Sequence, residues 1–103
     1  MRLRLHPSAL AELDEAVGHL KIERSGLGQR LFAEVRLRVG QAARLPTSGS
    51  PVSGFFARHD VRQFAVRRFP YLVVTALIGE ERLVVAIAHT RREPGYWKTR
   101  VGP

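Results

Sequence analysis

The chain has 103 residues, of which 45% are apolar and 25% are charged, and it contains no cysteine. This length suits a single domain over residues 1–103, and the missing cysteines exclude a disulfide framework, a thiolate zinc site and a cysteine nucleophile. The longest apolar run, residues 71–78, is too short to span a bilayer, and the N-terminus lacks the apolar core of a signal peptide. We therefore expect a soluble cytoplasmic domain with no membrane partner.

The charge balance is strongly basic. Seventeen Lys and Arg residues against nine Asp and Glu give a net charge of +8, and fifteen of the seventeen are arginine. The bias is stronger in the second half, where nine basic and four acidic residues lie between Arg58 and Pro103. Such a balance favours a polyanionic or acidic partner, because the summed charge steers association. The alternative is a solvated basic surface without a partner.

The first half of the chain predicts one strand and two helices. Alternation over Arg2–Leu5 is typical of a short strand. A first helix begins at Pro7 and ends at Ser25-Gly26, with Gly26 in the left-handed position after the helix, and a second helix covers Leu27–Leu45. Each helix has an apolar face at steps of three and four: Leu10, Leu13, Val17 and Leu20 in the first, and Leu31, Val35, Val39 and Ala42 in the second. Helices joined this closely form an antiparallel hairpin.

The second half predicts a loop followed by three strands. Residues 46–54 are rich in Pro, Gly and Ser, which favours a loop. The strands cover Val61–Arg68, Tyr71–Ile78 and Leu83–Ala88, with the turn Gly79–Glu81 between the last two. These last two strands are continuously apolar, as strands covered on both faces are. The order β-α-α-β-β-β predicts an α+β fold: an N-terminal strand and an antiparallel two-helix hairpin packed on a small, mainly antiparallel sheet.

Common catalytic motifs are absent from the sequence. It contains no phosphate-binding glycine loop, no dinucleotide fingerprint and no nucleophile elbow. The four histidines lack metal-ligand spacing, so we expect neither a metal site nor a cofactor. The acids of the first helix, including Glu12, are interpreted as a solvated face that complements the helix dipole. A hydrolase with two catalytic carboxylates is therefore not expected.

The C-terminal third contains most candidates for target or partner binding. Aromatic residues interleaved with cations suit base stacking with phosphate contact, and they equally suit a protein interface. The candidates are two arginines of the predicted strand and a cluster near the C-terminus: Arg62, Arg67, Arg91, Arg92, Tyr96, Trp97, Lys98 and Arg100. In the structural alternative, Tyr96 and Trp97 fold back over an open end of the sheet, and His89 is a hydrogen-bonded residue at a strand end.

Four stretches of the chain match a known family in order and spacing. They are His6-Pro7 with Ala9, Glu12 and Leu13; Gly26-Leu27-Gly28; Phe64 to Phe69-Pro70-Tyr71; and His89 with Arg91-Arg92, Pro94 to Lys98 and Arg100. Together they resemble the RelE/ParE superfamily of bacterial type II toxins, often labelled plasmid-stabilisation proteins. The resemblance covers essentially the whole chain, and it implies the same α+β fold that the periodicity predicts.

The resemblance also implies a partner and a target. Members are toxins held inactive by a co-expressed antitoxin, whose C-terminal segment is often acidic and disordered when free. Such a segment complements a toxin with a net charge of +8. RelE-like members cleave mRNA in the ribosomal A site, whereas ParE-like members poison DNA gyrase.

A metal-independent ribonuclease would need a base, an acid and positive charge at the phosphorane. His89 or Tyr96 would transfer protons, and Arg62, Arg67 and Arg91 would supply charge. The set is generic, and the chain lacks the lysine-rich helical surface typical of RelE-like enzymes. We therefore favour a ParE-like gyrase poison, which needs no catalytic residues. The alternatives are a ribosome-dependent mRNA endonuclease and a degenerate member that only binds its antitoxin.

Overall fold

The computed structural model describes residues 3–102, with the exception of the side chains of residues 56 and 57. Its strands and helices are β1 (Leu3–Leu5), α1 (Pro7–Glu23), α2 (Leu27–Arg44), β2 (Ser50–Pro51), α3 (Phe56–His59), β3 (Arg62–Ala65), β4 (Tyr71–Ile78) and β5 (Glu81–His89). The strands form one sheet in the order β1-β5-β4-β3-β2, with α1 and α2 against one face. The predicted α+β fold is confirmed. Arg2, which the sequence places in the first strand, lies outside the described residues.

Helix α1 begins as the sequence predicts. Pro7 occupies the first turn, and His6 caps it by accepting a hydrogen bond of 3.0 Å from the Ser8 amide at Nδ1. Of the predicted apolar face, Leu13 is buried and Val17 and Leu20 pack against the core, whereas Leu10 is 49% exposed. The fully buried residues of the helix are Leu13 and two alanines that were not predicted, Ala9 and Ala16. Two alanines on this face let the helix backbone approach the sheet closely, so the larger Leu10 is left on the outside.

The two long helices form the expected hairpin, with a difference at the turn. Helix α1 ends at Glu23 rather than at Ser25-Gly26, and Gly26, with φ of 85°, caps the start of α2. At Gly28 an added Cβ would lie 2.5 Å from the carbonyl oxygen of Val17, so glycine is needed where the helices meet. Leu31, Val35 and Ala42 of α2 are buried as predicted. No helix within residues 3–102 is long and apolar enough to cross a membrane.

The sheet is antiparallel except where β1 runs parallel to β5. Strand β4 has the predicted bounds, and the turn before β5 is only Gly79-Glu80, because Glu81 already pairs with Ile78. Two predictions about this region are wrong. Residues 46–54 are not all loop, since β2 pairs with β3 there, and β3 ends at Ala65, before the turn that contains Arg67.

Both faces of β4 and β5 are covered, as their continuous apolar runs predict. On one face, Val73, Val84 and Ile87 pack against the helices. On the other face, Val74, Val85 and Ala86 lie in a second core, which the C-terminal residues Trp97 and Val101 complete. The sheet therefore separates the helical hairpin from the C-terminal segment, defined here as residues 90–102.

Candidate docking site at the C-terminal segment

The C-terminal segment folds back over the sheet. It turns at Gly95, where φ is 82° and an added Cβ would lie 2.9 Å from the Phe55 ring, so both the backbone and the packing require glycine. Trp97 is 3% exposed, with its ring centroid 5.0 Å from that of Phe55. Trp97 therefore folds back over the sheet, as the structural alternative predicts. It is a core residue, and its indole is not presented to a partner.

A single carboxylate of α1 anchors this segment. Glu12 Oε2 accepts a hydrogen bond of 2.6 Å from the Tyr96 hydroxyl. Arg100 donates to both Glu12 oxygens, at 2.9 and 3.1 Å, and Arg92 donates to Oε2 at 3.3 Å. The interpretation of Glu12 as part of a solvated face is thus wrong, since its side chain is only 14% exposed.

The same carboxylate closes an open edge of the sheet. Strand β1 pairs only with Arg82–Val84, so the outer edge of β5 has no neighbouring strand beyond Val84. There the Ile87 amide donates to Glu12 Oε1 at 3.1 Å, and the Val85 carbonyl accepts from Arg100 at 3.0 Å. Side chains therefore satisfy the backbone groups that a longer first strand would have paired.

The network changes the acid–base character of both partners. Burial alone would raise the pKa of the Glu12 carboxyl, but hydrogen bonds from Arg100 and Tyr96 outweigh it and hold the pKa below its usual value. Burial, the hydrogen bond to Glu12 and the charge of Glu12 raise the pKa of Tyr96 to about 12. The Arg92 guanidinium lies 3.6 Å from the centroid of the Tyr96 ring. The phenol therefore stays protonated at neutral pH, with its proton directed at Glu12.

A groove lies beside this network, on the sheet face that the C-terminal segment covers. We call it the C-terminal groove; it has a volume of about 480 Å³. Its floor is apolar, and its walls come from two separate parts of the chain. Its lining includes Leu72, Val74 and Ala88 of the sheet, Pro51–Ser53 on one side, and His89, Thr90 and Arg92–Trp97 on the other. A concave apolar floor with a charged rim suits apolar side chains of a protein partner.

His89 lines this groove, and Arg91 lies in the chain between two lining residues, Thr90 and Arg92. The His89 ring meets the Tyr71 ring edge-on at 5.1 Å, and its Nδ1 accepts a hydrogen bond of 3.0 Å from the Arg91 amide. His89 is thus held as the structural interpretation expects. The side chains of Arg91 and Lys98 are exposed, and neither makes an ion pair within the described residues.

Arg62 belongs to a second cluster. Its Nε donates to Asp60 Oδ1 at 3.0 Å, and its Nη1 donates to the Thr47 and Gly49 carbonyls at 2.7 and 3.0 Å. Arg82, only 1% exposed, donates to the other Asp60 oxygen and to the Asp60 carbonyl. Burial alone would raise the pKa of the Asp60 carboxyl, but the hydrogen bonds from Arg82 and Arg62 hold it below its usual value.

The structure brings only part of the ribonuclease set together: His89 and Tyr96 line the C-terminal groove and the Arg91 amide is bonded to His89, whereas Arg62 belongs to the Asp60 cluster. Arg62 pairs with Thr75 and His89 pairs with Tyr71, which places them about 13 Å apart along β4 alone. Arg67 is exposed in the turn after β3, so its predicted place on a strand is wrong.

The sequence predicted no anchoring role for Glu12, Asp60 or Arg82, which hold the two clusters together. One signal was present for Arg82, because an arginine at the start of an apolar strand needs a buried anionic partner. Within residues 3–102, no group of three or more His, Asp or Glu side chains is placed to hold a metal ion.

Comparison with known proteins gives the family. Residues 3–94 match the family model described as "ParE toxin of type II toxin-antitoxin system, parDE". The chain therefore belongs to the ParE toxin family, as the resemblance to the RelE/ParE superfamily predicts. It is a type II toxin, and the family implies a cognate antitoxin as its partner.

Solved structures agree on the fold. A chain from the "Chromosomal ParDE TA system from P. aeruginosa" superposes with a TM-score of 0.69 at 19% sequence identity. The match covers 86% of this chain and 95% of that one. No curated protein sequence matches this chain.

Proposed function

We propose that this toxin inhibits growth by poisoning DNA gyrase and that an acidic antitoxin, partly disordered when free, neutralises it. Membership of the ParE family supports the proposal, since ParE-like toxins are the gyrase-directed branch of the superfamily. Gyrase lies in the bacterial cytoplasm, which is where we propose that the toxin acts. The toxin then works by binding, without a cofactor and without proton transfer.

The observation that carries the proposal is the bond between Tyr96 and Glu12. A general base works best when its pKa lies near the operating pH. The Tyr96 phenol instead has a pKa of about 12 and donates its proton to Glu12. Arg62, the strand arginine of the ribonuclease set, is bound to Asp60. These groups are engaged in folding contacts, which favours docking over RNA cleavage.

The proposed docking surface is the C-terminal groove, with Arg92 in its wall, and two exposed cations that neighbour its lining in the chain, Arg91 and Lys98; Lys98 itself lines a separate pocket beside Phe55. Arg91 and Lys98 are exposed, and Arg92, whose side chain is 53% exposed, lies over Tyr96 at the groove wall. Arginine and aromatic residues carry much of the binding energy in protein interfaces, and positive charge accelerates association with an acidic partner. An antitoxin that covers this surface would block the toxin from its target.

A supercoiling assay tests the target. Purified toxin is added to gyrase, ATP and relaxed plasmid, with and without antitoxin. We expect supercoiling to be lost and cleaved DNA to accumulate, and antitoxin to reverse both effects. Normal supercoiling at excess toxin, together with cleaved mRNA on translating ribosomes, would instead establish the ribonuclease, and His89, Tyr96 and Arg62 would be the first residues to mutate. Inactivity in both assays with intact antitoxin binding would identify a degenerate member.

Matched variants test the surface. Arg91→Glu reverses an exposed charge beside the groove, and Arg24→Glu makes the same change in the exposed turn after α1. We expect Arg91→Glu to weaken gyrase inhibition about tenfold, and Arg24→Glu to change it less than about threefold. Tyr96→Phe should leave inhibition within about threefold, because the hydroxyl does no chemistry in this mechanism. Equal losses for the two arginine variants would remove the C-terminal groove from the proposal.

A further inference from the structure

Helix α2 has an exposed basic face on the opposite side of the molecule from the C-terminal groove. Arg30, Arg36 and Arg44 are exposed, while Leu31 and Val35 on the other side of the helix are buried. Arg30 and Arg44 are two heptads apart, so they lie along nearly the same line of the helix surface, about 21 Å from one another. Arg36 lies about 80–120° around the helix from that line, also on the exposed side. The three side chains form what we call the α2 arginine face.

Nothing in the described structure neutralises the α2 arginine face. The only acid of α2 is Glu34, and none of the ion pairs within residues 3–102 involves Arg30, Arg36 or Arg44. The neighbouring helix has the opposite sign, because α1 exposes Asp14, Glu15 and Glu23 with Lys21 as its one basic residue apart from its histidine. A polyanion would therefore be attracted to α2 and repelled by α1.

The shape of this face favours phosphate over a protein surface. The residues between the arginines include Ala33 and Gly40, and two large apolar side chains among them are exposed, Phe32 and Leu37. At Gly40 an added Cβ would lie 3.2 Å from Arg44 Nη1, so the Arg44 guanidinium lies back along the helix toward Arg36. Protein interfaces rely on a central cluster of apolar anchors, and Phe32 and Leu37 do not form one, because they lie about 140° apart around the helix. Planar guanidinium groups bind phosphate oxygens with two parallel hydrogen bonds.

We propose that the α2 arginine face binds the phosphate backbone of duplex DNA without reading its sequence. A span of about 21 Å covers about six base pairs, so the arginines match phosphates spread over more than half a helical turn. Because α2 and the C-terminal segment cover opposite faces of the sheet, the toxin can contact DNA with one face and a protein with the other. This DNA contact goes beyond gyrase poisoning and does not depend on it.

The test measures binding of the full toxin to a fluorescently labelled duplex of about 20 base pairs by anisotropy, over a series of salt concentrations. The test variant is Arg30→Gln/Arg36→Gln/Arg44→Gln. The control, Arg24→Gln/Arg58→Gln/Arg68→Gln, removes the same charge from exposed residues outside α2. Each neutralised phosphate contributes about 0.9 to the slope of log K against log salt, so we expect the test variant to lose about 2.7 of that slope. Its affinity should fall at least about tenfold, and the control should lose less than about threefold.

The remaining outcomes distinguish DNA binding by the α2 arginine face from a general effect of net charge, from antitoxin binding and from gyrase poisoning. Exposed Arg→Gln changes should shift the free energy of unfolding by no more than about 0.5 kcal/mol each, which urea denaturation checks. An equal loss in both triple variants would mean that net charge, and not the α2 arginine face, binds DNA, and would overturn the proposal. If the test variant binds DNA normally but loses antitoxin, the face is a protein site and the proposal is wrong. A toxin that binds DNA through α2 but leaves gyrase unaffected would contradict only the proposed function.

Discussion

Glu12 and Tyr96 are separated by 84 positions in the chain, yet their side chains share a hydrogen bond of 2.6 Å. Glu12 belongs to the helical layer, and Tyr96 belongs to the segment that covers the opposite face of the sheet. The bond therefore fastens the two layers together around the free edge of β5. The Arg100 guanidinium donates to the same carboxylate at 2.9 and 3.1 Å, which makes Glu12 the common acceptor of the whole attachment.

Replacing Glu12 by glutamine should destabilise the protein. Glu12→Gln keeps the shape but removes the charge that balances Arg100, and it turns one acceptor into a donor that faces Tyr96. We expect a loss of about 2–4 kcal/mol in the free energy of unfolding, or about 8–30 °C in Tm for a domain of this size. Urea and thermal denaturation measure it. Glu15→Gln, an exposed change on the same helix, should stay within about 0.5 kcal/mol, and equal effects would mean that Glu12 is no anchor.

The Tyr96 phenol should ionise at a higher pH than an ordinary tyrosine. The chain has two tyrosines, so Tyr71→Phe leaves Tyr96 as the single phenol, and its ionisation can be followed by near-ultraviolet absorbance. We expect a midpoint near 12, because burial and the Glu12 carboxylate raise this pKa above the usual 10.0. Adding Glu12→Gln should move the midpoint back toward 10.0, since the carboxylate charge is then gone. If the midpoint is the same with and without Glu12→Gln, the two side chains are not bonded in solution.

Hydrophobic patterns predicted the long elements of the fold, such as β4 and α2. The apolar, β-branched run of β4 gave its bounds correctly, and helical periodicity placed Leu31 and Val35 of α2 in the core. Strand β2 was missed because a strand of two residues is too short to show a periodic pattern. Its extended structure depends on pairing with β3, which is distant in sequence. Arg67 was placed on a strand because the apolar pattern continues to Val66, although the left-handed backbone at Arg68 marks a turn.

The candidate site could be predicted only in part. Aromatic and basic residues in the last fifteen positions indicated a functional segment. The burial of Trp97 and the role of Glu12 depend on contacts across the whole chain. An acid on an amphipathic helix looks solvated unless its distant partners are known. Glu12 was among the residues that resemble the family, but a resemblance of residue type does not specify which hydrogen bonds a carboxylate accepts.

Acid should destabilise the protein through two carboxylates, Glu12 and Asp60. The pKa values of Glu12 and Asp60 are lowered below 4.5 and 3.8, so each carboxylate stabilises the fold above its unfolded pKa and loses that contribution as the pH falls through the folded pKa. We expect the free energy of unfolding to be level near neutral pH and to decline from about pH 5 downward. Glu12→Gln should have a shallower decline than the parent, whereas Glu15→Gln should follow the parent curve. A decline of equal steepness in the parent and in Glu12→Gln would contradict the assignment to Glu12.

Two arginine–carboxylate pairs should contribute differently to the free energy of unfolding, because one pair is buried and the other is exposed. Arg82 and Asp60 are joined at 2.5 Å with side chains 2% and 24% exposed, and Arg4 and Glu81 at 2.8 Å with side chains 63% and 37% exposed. Arg82→Met leaves the Asp60 carboxylate with Arg62 alone, and we expect it to cost about 3 kcal/mol in the free energy of unfolding. Arg4→Met should cost less than about 1 kcal/mol, since water screens an exposed pair.

A second change tests the cause of that difference. Asp60 has a left-handed backbone, with φ of 46°, which asparagine also tolerates. Adding Asp60→Asn to Arg82→Met removes the carboxylate that lost its partner, so we expect about 1 kcal/mol or more to be recovered relative to Arg82→Met alone. Urea denaturation of both single variants and the double variant gives the coupling directly. If the two losses simply add, the cost of Arg82→Met comes from lost packing around its buried stem, and the charge pair contributes nothing.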